Sequence, residues 1–284
     1  MDTIISKYNS PFDSFFYHHS VSEDGVIHAK YRRETHDQFE VLYLIDGEVR
    51  YHIEGEEYLA KSGDVIFVPP NEVHTLHCES GRRYERIVVL FDLLMLKAAL
   101  PQNEVVLKNN FFQHRAKYRV IPKEVVRKTQ ISELMYALTS ACEQEKYLPI
   151  RTLSLVCSLI IELDKVFEMQ TERGSVPIST DLIVKRAIEF INANIEKPLK
   201  LDEIAAHLYV SKSTLCHKFS RQMHVSINRY MTIKKIYHAA SLIKNGMSAV
   251  EASMAVGYEY YTTFYHNYKQ IIGVSPAETK QDIV

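Results

Sequence analysis

The chain has 284 residues, 46% of them hydrophobic and 24% charged, with a formal net charge of -1. That length and composition fit a globular protein of about two domains and exclude a disordered, collagen-like or disulfide-stapled chain. No apolar run approaches the roughly 18–20 residues that span a bilayer, and Met1 to Lys7 lacks the features of a secretory signal, so a soluble, cytoplasmic protein without a membrane partner is expected. Cys78, Cys142, Cys157 and Cys216 are widely spaced, with no Cys-x-x-Cys, which fits a reducing compartment and argues against a zinc ribbon. Cys142 and Cys157 read as small buried hydrophobes. Charge is uneven along the chain. Residues 181–284 hold thirteen Lys and Arg against nine Asp and Glu, a balance of +4 that leaves -5 for the remainder. A mildly acidic front and a mildly basic back fit a regulatory domain joined to one that binds a polyanion.

From about Ile27 to Val89, runs rich in Val, Ile, Tyr and Phe are punctuated by Asp46-Gly47, Glu54-Gly55, Ser62-Gly63-Asp64, Pro69-Pro70-Asn71 and Ser80-Gly81. This spacing predicts an all-β sandwich or barrel over about 27–100, preceded by an arm over about Asp2 to Ser20. Apolar residues three and four apart then predict a helical hairpin over about 123–169, with stripes through Ile131, Leu134, Leu138, Leu153, Val156 and Ile160. The hairpin is expected either to carry dimerisation or to pack against the barrel. Residues 170–180, with Gly174, Pro177 and four hydroxyl side chains, read as a linker. The domains expected are therefore 1–169 and 181–284.

Beyond the linker the pattern is wholly helical. Ser179 or Thr180 is a candidate cap for a helix over Asp181 to Ile195. Residues 201–223 then read as two short helices joined at Val210-Ser211, the second anchored by Leu215 and Phe219. The arrangement repeats at about 249–272, with Gly257 as a helix stop and a long helix, Ile227 to Lys244, between the copies. An internally duplicated helix-turn-helix says far more than either copy alone. The string Val256-Gly257-Tyr258, Phe264, Tyr268-Lys269 and Gly273-Val274-Ser275-Pro276, together with Leu201 to Ala205, Ser211, Leu215, Phe219, Tyr230 and Ala239 to Leu242, resembles the double helix-turn-helix of AraC/XylS-family transcription regulators.

That resemblance implies a regulator whose two recognition helices enter adjacent major-groove segments of promoter DNA. Base-edge positions are then Ser213, Cys216 and His217 in the first helix, and Tyr261, Thr262, Tyr265 and His266 in the second. Lys212, Lys218, Arg221 and Lys269 are candidates for phosphates or, individually, solvated surface charges. The sequence departs from the family at His224, usually Gly; at Lys235, usually Arg; and at Lys200, where a Ser-type cap is common. His217 and His266 stand where Arg is frequent, which removes a bidentate donor for guanine.

In the front half, His36 to Glu48 and Gly63 to His74 resemble the two signatures of cupin barrels, a combination typical of this regulator family, in which the barrel is an effector pocket. Strand alternation puts Glu34, His36, Gln38, Glu40, Leu42 and Leu44 on one face. His36, Glu40 and His74, with Tyr43 or Tyr51 at the mouth, are the candidates for holding a small polar effector such as a sugar. Glu34, His36, Glu40 and His74 are a secondary candidate set for a divalent ion, with no metal or other cofactor expected by default. Alternatively, Glu40 and His74 simply satisfy each other. The sequence holds no nucleophile triad, phosphate-cradling Gly loop or Walker motif, and so no catalytic residues. The mixed two-domain fold, a cupin-like barrel with a helical hairpin followed by an all-α module, predicts an effector-controlled regulator. It would be an activator working with RNA polymerase, and a homodimer. The alternatives are a metal-dependent cupin enzyme with a DNA-binding module and a constitutive regulator without an effector.

Overall fold

The computed structural model describes residues 2–9, 15–24, 35–78, 81–92, 118–141, 148–169 and 176–281. It divides into two compact units, Met1–Ile53 with Glu57–Ile178, and Glu54–Glu56 with Ser179–Val284. Glu34, Cys142 and most of the expected linker (170–175) lie outside the described residues.

In the first unit, strands β1 (Asp2–Asn9), β2 (Phe15–Ser22), β3 (Phe39–Asp46), β6 (Val65–Val68), β8 (Tyr84–Phe91) and β9 (Val120–Ile121) form one sheet in the order β1-β2-β8-β3-β6-β9. Strands β4 (Glu48–Ile53), β5 (Glu56–Lys61) and β7 (His74–Cys78) pair in the order β5-β4-β7 in a second sheet. The expected N-terminal arm is thus partly strand. Phe15, Tyr17 and His19 alternate with Phe16, His18 and Ser20, and this period lets β2 insert beside β8, His18 opposite Val88.

The larger sheet is buried on both faces, which is why β3 reads as an almost unbroken apolar run. Leu42, Leu44, Ile66, Val68 and Val88 turn inward with Val49, Tyr51, Ile53 and Tyr58 of the second sheet. Phe39, Val41, Val65, Phe67, Val89 and Phe91 face the other way, onto helices α2 (Ile131–Ala141) and α3 (Leu148–Met169). The expected hairpin therefore packs on the barrel. Ile131, Leu138, Val156 and Ile160 are fully buried in that cluster, and Leu134 and Leu153 pack at its margin. Its first arm is also interrupted. A short helix, α1 (Lys123–Val126), stops where the Thr129 hydroxyl donates to the Val126 carbonyl and in turn accepts the Ile131 N–H, starting α2.

The second unit is helical: α4 (Leu182–Ala193), α5 (Leu201–His207), α6 (Lys212–Met223), α7 (Ile227–Lys244), α8 (Ala249–Ala255), α9 (Tyr261–Ile272) and α10 (Pro276–Gln281). The cap of α4 is Asp181 rather than Ser179 or Thr180. Its carboxylate accepts the Ile183 and Val184 N–H groups, which a charged acceptor at a helix N-terminus does well. The internal repeat is physical as well as sequential. Helices α5 and α8 begin 48 residues apart, and α6 and α9 begin 49 apart. In the first copy the Tyr209 and Val210 N–H groups close onto the Ala206 and Ala205 carbonyls; in the second, Gly257 and Tyr258 close onto Met254 and Ser253. Tyr209 (φ 55°) and Gly257 (φ 73°) hold the same left-handed turn, and His224 (φ 54°) and Gly273 (φ 94°) end the second helix of each copy. Ser275 then caps α10 with Pro276 at its first position and Glu278 returning to the Ser275 N–H, which accounts for the Gly-Val-Ser-Pro string.

These turns set opposite expectations for two substitutions. His224→Gly removes a side chain from a left-handed position and should stabilise the protein by about 1 kcal/mol. Gly257→Ala would place a Cβ 3.0 Å from the Pro198 backbone nitrogen at positive φ and should destabilise it by about 1–3 kcal/mol. Urea unfolding of the two variants measures both, and equal signs would contradict the assignment of strain.

Candidate functional site

Two surfaces carry chemistry, one in each unit. In the helical unit, the second helix of each copy is held by its inner face. Leu215 and Phe219 of α6 are fully buried, with the Phe219 ring 5.3 Å from Tyr230 of α7. Their counterparts in α9, Phe264 and Tyr268, join Ile236, Ala239, Ala240 and Ile243 of α7, Ala252 of α8 and Val256 just after it in a second cluster. The Tyr268 hydroxyl donates to Thr279 of α10, so this buried phenol is satisfied. Outward remain Lys212, Ser213, His217 and Arg221 on α6, and Tyr261, Thr262, His266 and Lys269 on α9. Cys216 and Tyr265 are half-buried at equivalent places, beside this exposed face. His217 and His266 are also equivalents, 49 residues apart.

The lysines differ in their engagements. Lys218 is half-buried with its Nζ 2.7 Å from Asp181, so it ties α6 to the cap of α4 rather than standing open to solvent. Lys212 pairs with Asp202 at 2.7 Å, but both side chains are exposed, and such a pair is weak enough for a phosphate to displace. Ser211 caps α6 by accepting the Thr214 N–H, whereas Tyr260 at the start of α9 supplies no side-chain acceptor. The first-turn N–H groups of α9 therefore remain suited to an anion.

In the first unit, a cavity of about 260 Å3 lies between the sheets, lined by Phe16, His18, Glu40, Tyr51, His74 and Arg86 among apolar neighbours that include Leu42, Leu76 and Val88. His36, Glu40 and His74 converge there, as strand period and the second motif require. The Glu40 carboxylate is buried, with His36 Nε2 at 3.1 Å, His74 Nε2 at 3.4 Å and the Tyr51 hydroxyl donating at 2.6 Å. Burial alone would raise its pKa, but the close contacts with the His36 and His74 rings outweigh this and hold the carboxyl well below its ordinary range. Tyr43, the other aromatic expected at the mouth, is displaced from the site. It has the opposite parity to Glu40 on β3 and meets Tyr136 on the helical side of the sheet.

Sequence reasoning missed the cationic side chains of the cavity. Arg86 is buried, its guanidinium 4.7 Å from the Tyr84 ring centroid, and Lys7 of β1 also lines the space. His18 is buried with neither ring nitrogen hydrogen-bonded among the described residues. The inward parity of Phe16, His18 and Ser20 was the available signal. Burial, and then the Arg86 charge, lower the His18 pKa from 6.5 to about 4. A His neutral when folded contributes stability that is fully present above its unfolded pKa near 6.5 and is lost as the pH falls toward 4, because the unfolded chain then binds more protons. The loss attributable to this residue is up to about 3 kcal/mol. Denaturation at pH 7 and pH 4.5 should show a smaller acid penalty for His18→Leu than for the natural protein; an equal penalty would mean that His18 is not the group involved.

Residues 17–154 match the family model described as an AraC-like ligand binding domain, and residues 204–282 match a helix-turn-helix domain. The melibiose operon regulatory protein of Escherichia coli K12 is 22% identical over 259 residues, covering 87% of this chain and 82% of that protein. The arabinose operon regulatory protein of Salmonella typhimurium is 23% identical over 239 residues, covering 82% and 80%. Among solved structures, a ToxT variant from Vibrio cholerae aligns over 97% of this chain and 99% of its own at 13% identity, with a TM-score of 0.42. No helix among the described residues is long and apolar enough to cross a membrane.

Proposed function

The chain belongs to the AraC family of transcription regulators, and from that premise we propose that it binds promoter DNA through α6 and α9 under the control of a small polar effector held in the barrel. It is a regulator with a ligand-binding domain and a helix-turn-helix module, not an enzyme, so the cupin-enzyme alternative falls. The observation that carries the DNA reading is the pairing of equivalent exposed faces on two helices fastened to one spine. Helix α7 has 18 residues and so a length of about 27 Å. That is commensurate with major-groove segments roughly one turn, or about 34 Å, apart.

On this reading Ser213, Cys216 and His217 of α6, and Tyr261, Thr262, Tyr265 and His266 of α9, meet base edges. Lys212, Arg221 and Lys269 meet phosphates, and Lys218 orients α6 through Asp181. His217→Ala and His266→Ala should each leave folding intact and change the preferred bases when duplexes are selected from a random pool. A selected motif identical to that of the natural protein would contradict the register.

The cavity supports the effector reading: polar groups converge in an apolar space large enough for a small molecule. Two relatives are named for the melibiose and arabinose operons, which supports a sugar, and Arg86 and Lys7 in the cavity lining suit an anionic substituent. The protein acts as an activator through RNA polymerase and as a homodimer. The dimer face is the outer side of α3, where Ile150 and Ile161 stay exposed at 75% and 55%, rather than the stripes that fill the core. A sugar and sugar-acid panel should contain a compound that raises the melting temperature, a ligand at a hundred times its Kd contributing about 2.7 kcal/mol. A panel without any such compound would favour the constitutive regulator.

A further inference from the structure

Strand register brings three basic side chains to one part of the cavity wall. Lys7 of β1 stands directly opposite His18 of β2, His18 stands opposite Val88 of β8, and Ser20 stands opposite Arg86. Directly opposed residues share a face of the sheet. Val88 turns inward with Leu42 against the second sheet, so this is the face that lines the cavity. Two polar groups on it have no partner among the described residues. His18 is 9% exposed and lines the cavity, yet neither ring nitrogen is hydrogen-bonded. Ser20, two residues on, is buried with its Oγ in the same condition. Burying such atoms without a partner is costly, and a polar molecule in the cavity removes that cost.

The charges define what that molecule carries. Among the described lining residues the cations are Arg86 and Lys7, and the one carboxylate is Glu40. Glu40 is already engaged by Tyr51, His36 and His74. It lies opposite Leu90, four residues along β8 from Arg86, or about 13 Å at about 3.3 Å per residue. The Arg86 guanidinium meanwhile sits over Tyr84, two residues farther from that row. Lys7 is exposed, its Nζ 5.5 Å from the Phe16 ring centroid, and has no carboxylate partner among the described residues. Positive charge thus exceeds negative by one around His18. Burial and the Arg86 charge keep the His18 ring neutral near pH 7, and a neutral imidazole offers one N–H and one lone pair. An alcohol O–H has the complementary pair.

We propose that Lys7, Arg86 and His18 form a subsite that makes a carboxylate obligatory in the effector: a hydroxylated monocarboxylate of the sugar-acid class, its carboxylate held by Arg86 and Lys7 and a neighbouring hydroxyl by His18. The planar guanidinium matches a carboxylate in shape as well as charge. One negative charge balances the excess in the lining, whereas a neutral sugar leaves it unbalanced and a phosphate monoester exceeds it. Leu42, Val88 and Leu90 supply apolar wall for the C–H surface of the molecule. The subsite rests on the effector reading of the cavity and narrows it from polar small molecules to acids.

The test is calorimetric titration of the full chain with three sets of probes: the aldonic and uronic acids of the common pentoses and hexoses, their neutral parent sugars, and the corresponding sugar phosphates. At least one acid should bind about a hundredfold more tightly than its neutral parent, as loss of one partner from a buried charge pair implies. Arg86→Gln should raise the Kd of that acid about tenfold to a hundredfold. His18→Leu should remove the preference for that acid over its analogue lacking the hydroxyl next to the carboxylate. If Arg86→Gln does not fold, the exposed Lys7 decides: Lys7→Glu should weaken the acid about tenfold or more, while Lys128→Glu, exposed and outside the lining, should not. A neutral sugar that binds as well as its acid would overturn the subsite and leave the effector reading standing. Preference for a sugar phosphate would overturn the single-charge assignment, and binding of no probe would overturn subsite and sugar effector together. Acid binding unchanged by Arg86→Gln and Lys7→Glu, or weakened equally by Lys128→Glu, would overturn the residues assigned.

Discussion

Helices α6 and α9 both depend on the packing of large side chains along α7. Phe219 meets Tyr230 near its start, while Phe264 and Tyr268 meet Ile236, Ala239, Ala240 and Ile243 farther along. Each of these side chains is essentially inaccessible to water, and a buried aromatic of this kind contributes several kcal/mol that no surface contact supplies. The consequence is geometric. Neither helix can tilt without opening a core, so the exposed faces of α6 and α9 are held at a separation set by a helix rather than by loops. Small residues serve the same end: Ala205, Ala239, Ala240 and Ala252 are buried where helices approach closely.

The barrel follows a different rule. Its larger sheet is covered on one face by the second sheet and on the other by α2 and α3, so nearly every position on β3 and β8 is apolar. Polar groups inside such a sheet are costly unless paired. The interior nevertheless holds Glu40, His74 and Arg86, each at most 3% exposed, with His18 close by. Glu40 is contacted by two imidazoles and a phenol, and Arg86 and Lys7 bring positive charge to the same cavity. A barrel needing only stability would fill these places with Leu or Val. The retained polar set is what distinguishes a binding cavity from a packed core.

Much of the helical unit was legible in sequence because its determinants are local. Apolar spacing of three and four, Ser211 as a cap, and Gly257 and Gly273 as stops each act within one turn of the backbone, and so do the caps Ser226 and Ser248, which the structure adds. The period-two rule likewise brought His36, Glu40 and His74 together. It should also have excluded Tyr43, since odd positions of β3 cannot share a face with Glu40. The apolar stripes of the hairpin were legible as stripes, but not their partner: a second chain and a neighbouring sheet offer the same hydrophobic gain. Lys218 reads as an open cation and is instead bound to Asp181, a residue 37 positions earlier in the chain.

By itself, then, the sequence determined the two-domain plan, the duplicated helix-turn-helix and the inward trio of the barrel, because these rest on interactions between residues close in the chain or on strict alternation. Only the tertiary structure decided that β2 and β8 bring His18 and Arg86 to the cavity, that α2 and α3 spend their apolar faces on the sheet, and that both imidazoles of the trio aim Nε2 at one carboxylate oxygen. Those outcomes depend on strand order, on which surfaces meet, and on ring orientations set by backbone carbonyls. None of these is encoded in residue spacing, since pairing between distant segments is chosen by the free energy of the whole packed unit.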